Sequence, residues 1–308
     1  MHLGNARTAL LAWLDARARG GRLAMRVEDL DGPRVRPGLE GRILAELRWL
    51  GLDWDEGPDV GGPHAPYRQS ERLGRYAAAL ARLREAGLVY ECFCSRAEIA
   101  AASHAPHGPA DEGPRYPGIC AQFTKDERDA RAARGKPAAW RFRAPAGELR
   151  FEDAVFGPQA VDVAASTGDF VVMRADGVPA YQLAVVVDDL AMEVTDVVRG
   201  SDLLSSTARQ LLLWRALGGA PPRFAHVPLV VGDDGARLAK RHGALSVGEL
   251  RERGADPRAV VGLLAASAGL CAPGLRVGPA ELVRGFAIER LSREPARLGA
   301  DAVAALLR

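Results

Sequence analysis

Residues 1–31, MHLGNARTALLAWLDARARGGRLAMRVEDLD, contain the unit from which the fold is read. Leu10, Leu11, Trp13 and Leu14 recur among helix formers across residues 6–18, and Gly20-Gly21 follows as a stop, which predicts a helix. Residues 22–27 alternate in polarity and predict a strand, closed by the turn chemistry of Glu28-Asp29-Leu30-Asp31-Gly32-Pro33. A helix followed by a strand that ends in carboxylates belongs to an α/β domain, in which ligands bind at the C-terminal ends of strands.

The pattern continues outward. Residues 39–50 and 71–86 read as amphipathic helices, the second stopped by Gly87 and followed by a short strand at 88–90. Residues 95–114 dissolve into Ala, His, Pro and Gly and predict an inserted loop, after which 140–156 and 169–172 read as strands of a small β-rich insert. The run 180–188 is almost continuously apolar and ends in two Asp, which predicts a parallel strand buried on both faces. A helix at 207–217, a strand at 227–231 and helices after Ser246 complete the chain, without an internal repeat. The expected architecture is α/β, a doubly wound parallel sheet. A nucleotide-binding catalytic domain spans 1–90 and 170–245, split by an insert at 91–169 and followed by a helical region at 246–308.

Composition narrows the function. With 308 residues, 48% hydrophobic and 26% charged, the chain is neither disordered nor fibrous. Lys plus Arg number 41 against 39 Asp plus Glu, so the net charge of +2 gives no global attraction to nucleic acid, and any such footprint must be local. Apolar stretches such as 259–272 are shorter than the ~18–20 residues that span a bilayer, the N-terminus has no secretory pattern, and four cysteines make no disulfide scaffold. A reduced, cytoplasmic, monomeric enzyme is expected. Lys occurs only at 125, 136 and 240, so the position of each carries information.

Three motifs carry chemistry. His2-Leu3-Gly4-Asn5 precedes a helix, and a residue without a side chain at Gly4 lets a base or phosphate approach the helix N-terminus. Arg237-Leu238-Ala239-Lys240-Arg241-His242 follows the loop Gly232-Asp233-Asp234-Gly235 and places a compact ammonium in a polar segment, although most basic hexamers are solvated loops. Cys92-Phe93-Cys94 with Cys120 offers three thiolates, a donor set for tetrahedral zinc that needs one oxygen or nitrogen more. His104 and His107 in the intervening loop are chemical candidates for that place, whereas Cys271 stands alone and reads as core.

Together these strings resemble the class I glutamyl-type aminoacyl-tRNA synthetases, block by block and in order. His2 to Leu10 is similar to the family's HIGH region, Met25-Arg-Val-Glu28-Asp29-Leu-Asp31 to its acidic segment, and Tyr181-Gln-Leu-Ala-Val-Val-Val-Asp188-Asp189 to its amino-acid pocket. Val198-Arg199-Gly200-Ser201-Asp202-Leu203 and Arg237-Leu-Ala-Lys240-Arg match the segments that follow, the latter being the KMSKS loop. The pair Cys92-Phe-Cys94 and Tyr116-Pro-Gly-Ile-Cys120 resembles the zinc site of a short form of the family that lacks an anticodon-binding domain. By its length, no further domain of ~100 residues is expected after the helical region from Ser246.

The resemblance implies a ligase that uses ATP with Mg2+ to activate L-glutamate and transfers it to queuosine at the wobble position of tRNA(Asp). It implies His2 and Lys240 as catalytic residues and His2, Gly4, Asn5 and Lys240 as ATP contacts. Glu28 would take the substrate ammonium, Arg199 a substrate carboxylate, and Tyr181 would supply a hydroxyl and a wall, while Arg7, Asp188 and Asp202 support the fold. Zinc would be held by Cys92, Cys94, Cys120 and, by resemblance, Tyr116, with His104 and His107 left as alternatives. Two departures stand out: the KMSKS equivalent has Arg237 for its first Lys and Ala239 for its Ser, and the sequence starts one residue before the HIGH histidine. The family's first strand and its Arg-x-Ala-Pro-Ser-Pro-Thr-Gly loop are therefore expected upstream, and the chain without them is expected to be unstable or inactive. Two competing expectations are a glutamyl-tRNA synthetase fragment charging a tRNA 3′ end and an inactive zinc-dependent RNA-binding protein.

Overall fold

The computed structural model describes residues 1–32, 35–102, 115–232, 234–235 and 246–307. Helix α1 (Leu3–Ala18) opens the fold as its spacing predicts, capped by His2, whose Nδ1 accepts the Asn5 N–H at 3.2 Å. Helices α2 (Leu39–Trp49) and α3 (Leu73–Glu85) follow, then β1 (Val89–Cys92), α4 (Arg96–Ala102) and α5 (Lys125–Ala132). Next come β2 (Ala139–Phe142), β3 (Leu149–Asp153), β4 (Gly157–Val161), α6 (Val163–Ser166), β5 (Phe170–Met173), α7 (Tyr181–Ala191), β6 (Asp196–Gly200), α8 (Ser206–Ala216), β7 (Arg223–Val227) and β8 (Val230–Val231). Helices α9 (Val247–Glu252), α10 (Pro257–Ala266) and α11 (Pro279–Leu282), strand β9 (Ala296–Arg297) and helix α12 (Ala300–Ala304) end the described chain.

The strands form three sheets rather than one doubly wound parallel sheet. Strands β1, β2 and β5 make an antiparallel sheet in that order. A mixed sheet runs β4-β3-β7-β6, with β3, β7 and β6 mutually parallel and β4 antiparallel to β3. Strands β8 and β9 form a parallel pair. Strands β3 and β4, expected in a separate insert, thus share a sheet with β6, which carries Arg199.

Five further expectations are corrected. The run 180–188 is helix α7, not a strand. Its residues from Leu183 to Asp189 are all buried between α3, β5 and α8, and an apolar run buried on every side has no periodicity to separate helix from strand. Residues 22–27 are extended but form only isolated parallel bridges, Ala24 to Glu56 and Val27 to Arg68, because the segment changes partner along its length. Pro228 breaks the expected strand at 227–231 into the end of β7 and the short β8. The segment 95–114 starts as helix α4, and β9 interrupts the helices after Ser246.

Two apolar cores hold these layers. One joins Leu3, Leu10, Leu11 and Leu14 of α1 to Leu47 of α2, Leu250 of α9 and Val260 and Leu264 of α10. The other packs Tyr76 and Leu83 of α3 against Leu183 and Val186 of α7, Leu213 of α8 and Phe170 and Phe224 of the sheets. The start of α1, the start of α7 and the C-terminal ends of β6 and β7 are thereby fixed against one another. Among the described residues no helix is long and apolar enough to cross a membrane.

Candidate active site

A cavity of about 410 Å³ opens at the start of α1 and is lined by His2, Gly4 and Asn5 on one side and by Val198, Gly200 and Asp202 on the other. A side chain would be crowded at two of these positions. A Cβ on Gly4 would lie 3.1 Å from the His2 ring, and one on Gly200 would lie 2.5 Å from Asp202 Oδ1. The cavity therefore sits at a helix N-terminus, where backbone N–H groups and the helix dipole favour an anion such as phosphate.

Beside it lies a charged cluster that brings Glu28, Tyr181 and Arg199 together. Arg26 donates to Glu28 Oε1 at 3.0 Å and to Asp189 Oδ1 at 2.7 Å, so it holds both carboxylates at one end of the cluster. Burial raises the Tyr181 hydroxyl pKa, and the Glu28 carboxylate adds to the shift. Burial pulls the Arg199 guanidinium below its ordinary value, which Tyr181, Asp189 and Glu28 partly offset. Tyr181 begins α7 and is 40% exposed, so its ring faces the opening rather than the core.

Arg199 is held by neutral groups. Its Nε donates to His226 Nε2 at 2.9 Å, Nη1 donates to Gln210 Oε1 at 2.7 Å, and Nη2 donates to Thr207 Oγ1 at 2.9 Å. The Phe224 ring lies 5.2 Å beneath the guanidinium carbon. No carboxylate among the described residues forms an ion pair with Arg199, in contrast to Arg26 and Arg72, so its charge is left for a ligand.

Asp188 and Arg7 have the supporting places expected of them. Asp188 is fully buried and accepts from Arg72 Nε at 2.6 Å, Gln69 Nε2 at 2.8 Å and Tyr76 Oη at 2.8 Å. Arg7 is buried and donates to the Pro228 carbonyl at 2.8 Å, tying α1 to the segment after β7. Lys240, with the rest of its basic loop, lies outside the described residues, as do His104 and His107.

The cysteine cluster forms a second centre, at one edge of the β1 sheet. Cys92, Cys94 and Cys120 place their sulfurs within 4.8 Å of one another, with Cys94 and Cys120 at 3.4 Å. The Tyr116 hydroxyl lies 3.5 Å from Cys92 Sγ and 3.8 Å from Cys94 Sγ, and accepts the Cys120 N–H at 2.9 Å. A tetrahedral zinc with bonds of about 2.3 Å separates its thiolates by roughly 3.8 Å, so the three sulfurs suit that ion, and the Tyr116 hydroxyl is the oxygen nearest them among the contacts described. Burial pushes the Cys94 thiol up to about 12, with its sulfur neighbours adding to the shift. At Cys92 burial acts in the same sense but is outweighed by Tyr116 and Arg141, and its value falls.

Sequence reasoning missed Asp153, His226 and Gln210 and gave no role of their own to Arg26 and Asp189. A histidine inside the apolar strand Phe224-Ala-His226-Val, one of six in the chain, is the signal that could have pointed to His226.

A cavity at a helix N-terminus beside a cluster of carboxylates and guanidinium groups suits an enzyme with a charged substrate, and the comparisons with known proteins name the class. Residues 1–274 match the family described as tRNA synthetases class I (E and Q), catalytic domain, and the chain belongs to this family of ligases. It is 56% identical to the glutamyl-Q tRNA(Asp) synthetase of Symbiobacterium thermophilum over 99% of this chain and 94% of that protein. Identity is 50% to the protein of the same name from Nitratidesulfovibrio vulgaris, over 88% and 83% of the two chains. The glutamate--tRNA ligase 1 of Halorhodospira halophila is 45% identical, but this chain covers only 63% of it. Among solved structures, the glutamate-tRNA synthetase of Elizabethkingia anophelis superposes with a TM-score of 0.86 at 28% identity, over 99% of this chain and 67% of that one.

Proposed function

We propose that the chain activates L-glutamate with ATP and Mg2+ and transfers it to queuosine at the wobble position of tRNA(Asp). The observation that carries this reading is the pairing of Glu28, a carboxylate at the opening, with Arg199, a cation with no ion-pair partner among the described residues, beside a cavity at a helix N-terminus. An amino acid with an ammonium at Glu28 and a carboxylate at Arg199 is held at both charges. In activation an α-carboxylate oxygen attacks the α-phosphorus, the bond from that phosphorus to the pyrophosphate breaks, and glutamyl-adenylate forms. His2, Gly4 and Asn5 hold the nucleotide, and Lys240 offsets phosphate charge as pyrophosphate departs. In the second step the acceptor on the RNA attacks the activated carbonyl and AMP leaves.

Other features support the reading. The names of the relatives most alike over their whole length point to this acceptor rather than to a tRNA 3′ end. A second cleft of about 680 Å³ is lined by Arg84, Arg128, Arg143, Tyr90 and Trp140, with Arg84 stacked 4.5 Å over Trp140 and Arg143 4.5 Å over Tyr90. Planar cations held flat on aromatic rings suit phosphate oxygens and bases of an RNA. Zinc held by Cys92, Cys94, Cys120 and Tyr116 would cross-link the residues around β1. In domain terms, 1–90 with 170–245 makes the catalytic body, to whose sheet β3 and β4 of the 91–169 insert contribute, the rest of that insert lies on the acceptor side, and 246–308 faces the stem.

Glutamate-dependent ATP–pyrophosphate exchange without RNA tests the first step, and transfer of labelled glutamate to queuosine-bearing tRNA(Asp) tests the second. Exchange together with labelling of that tRNA, and none of the 3′ end of tRNA(Glu), is the expected result. Labelling of the 3′ end alone would overturn the acceptor, and absence of exchange would overturn the enzyme reading.

A further inference from the structure

Behind Arg199 stands a buried pair that the activity described above does not use. His226 lies directly beside Arg199 in the parallel register of β7 and β6, and Asp153 ends β3 on the other side of β7. Both side chains are fully shielded from solvent. Asp153 Oδ1 accepts the N–H groups of Val155 at 3.0 Å and Phe156 at 2.9 Å, while Oδ2 accepts the His226 N–H at 3.1 Å and faces His226 Nδ1 at 2.6 Å. The other ring nitrogen, Nε2, is 2.9 Å from Arg199 Nε.

The protons on this chain are determined by one constraint. An arginine Nε always carries hydrogen, so His226 Nε2 must present its lone pair. The ring proton of a neutral His226 must then sit on Nδ1 and be donated to Asp153. Burial favours that neutral state by lowering the imidazole pKa. A protonated ring, or a ring with its proton on Nε2, would turn a donor against Arg199 Nε and release the guanidinium from the plane in which Gln210 and Thr207 hold its other nitrogens.

We propose that Asp153 and His226 are positioning residues that fix the Arg199 guanidinium toward a substrate carboxylate. The inference rests on the glutamate reading for the identity of that carboxylate. A carboxylate placed directly on Arg199 would orient it equally well but would neutralise the charge the substrate needs. The imidazole keeps the orientation and moves the anion one side chain further away.

Asp153→Asn tests this. Oδ1 must remain an acceptor for two backbone N–H groups, so the new amide nitrogen faces His226 Nδ1 and drives the ring proton to Nε2. Glutamate KM in pyrophosphate exchange should rise about ten- to a hundredfold, the range of a lost hydrogen bond to a charged group. ATP KM should stay within about twofold. In a His226→Gln background, where an amide oxygen can accept from Arg199 without a tautomer, adding Asp153→Asn should change glutamate KM no further. Nitrogen-15 spectra of the imidazole supply a readout independent of activity: Nδ1 protonated in the unaltered chain, Nε2 protonated in Asp153→Asn. An unchanged tautomer with unchanged glutamate KM, or equal rises in the glutamate and ATP KM values, would overturn the proposal. If the unaltered chain shows no exchange, the glutamate reading fails, and the positioning role is then decided by the spectra alone, a ring protonated on Nε2 in the unaltered chain refuting it.

Discussion

Asp188 is a buried anion with three donors on two oxygens, and its replacement is the sharpest test of how the site is supported. Arg72 Nε meets Oδ1, Gln69 Nε2 and Tyr76 Oη meet Oδ2, and the Arg72 side chain is as fully buried as the carboxylate. Removing one partner of such a pair strands the other charge away from water, at a cost of about 3–5 kcal/mol. Asp188→Asn keeps one acceptor and should fall near the lower end, whereas Asp188→Ala strands all three donors and should reach the upper. With an unfolding entropy of roughly 2 cal/mol/K per residue over the 308 residues, these losses lower Tm by about 5–8 °C. Urea unfolding followed by circular dichroism supplies the free energy at constant temperature, and m should not change. Arg150→Ala is the control, because its pairing with Glu148 is 80% and 47% exposed and should be worth no more than about 0.5 kcal/mol. If Asp188→Asn is as harmless as the control, the cluster is not what fixes α7, and the argument for its role is refuted.

The remaining predictions concern metal, phosphate and protons. Purified protein should contain about one zinc per chain; Cys94→Ser should lower that content and the stability around β1, with Tyr116→Phe weakening retention less because three thiolates remain. A zinc-free protein with the same fold would contradict this. Lys240→Ala should lower kcat for pyrophosphate exchange by a factor on the order of 10²–10³ with little change in glutamate KM, and a rise in KM at constant kcat would instead make Lys240 a binding residue. Glu56 is buried, which alone would raise its pKa, but hydrogen bonds from Tyr67 and His64 hold it below its ordinary 4.5. The unfolded chain therefore takes up the proton first as pH falls, so this contribution is complete above about pH 4.5 and lost beneath it. Glu56→Gln should destabilise at pH 7, and the difference from the unaltered chain should narrow in urea titrations below pH 4.5.

Local order was legible where one face of an element is apolar and the other wet. Leu10, Leu11 and Leu14 announce α1, and the stop at Gly87 marks the end of α3. Helix α7 was misread because both its faces are buried, and Val185, Val186 and Val187 in a row favour a strand by propensity alone. Glu28, Tyr181 and Arg199, which the structure brings together, were legible as an ordered set of strings, and the thiolate cluster as spacing. The Asp153, His226 and Arg199 chain was not, because its members are separated by 73 and 27 residues and meet only through sheet register. A motif records what lies adjacent in sequence, whereas a parallel sheet sets side by side what the chain keeps far apart.

The hairpin of β3 and β4 limits how far this enzyme can be treated as interchangeable parts. The last residue of β3, Asp153, backs the His226–Arg199 pair, and the edge of β7 that the hairpin covers would be bare without it. A chimera that exchanges the neighbouring segment for another must therefore cut outside residues 149–161. A graft that includes the hairpin would alter amino-acid recognition and acceptor choice together, and a screen for new acceptors made that way would select against itself.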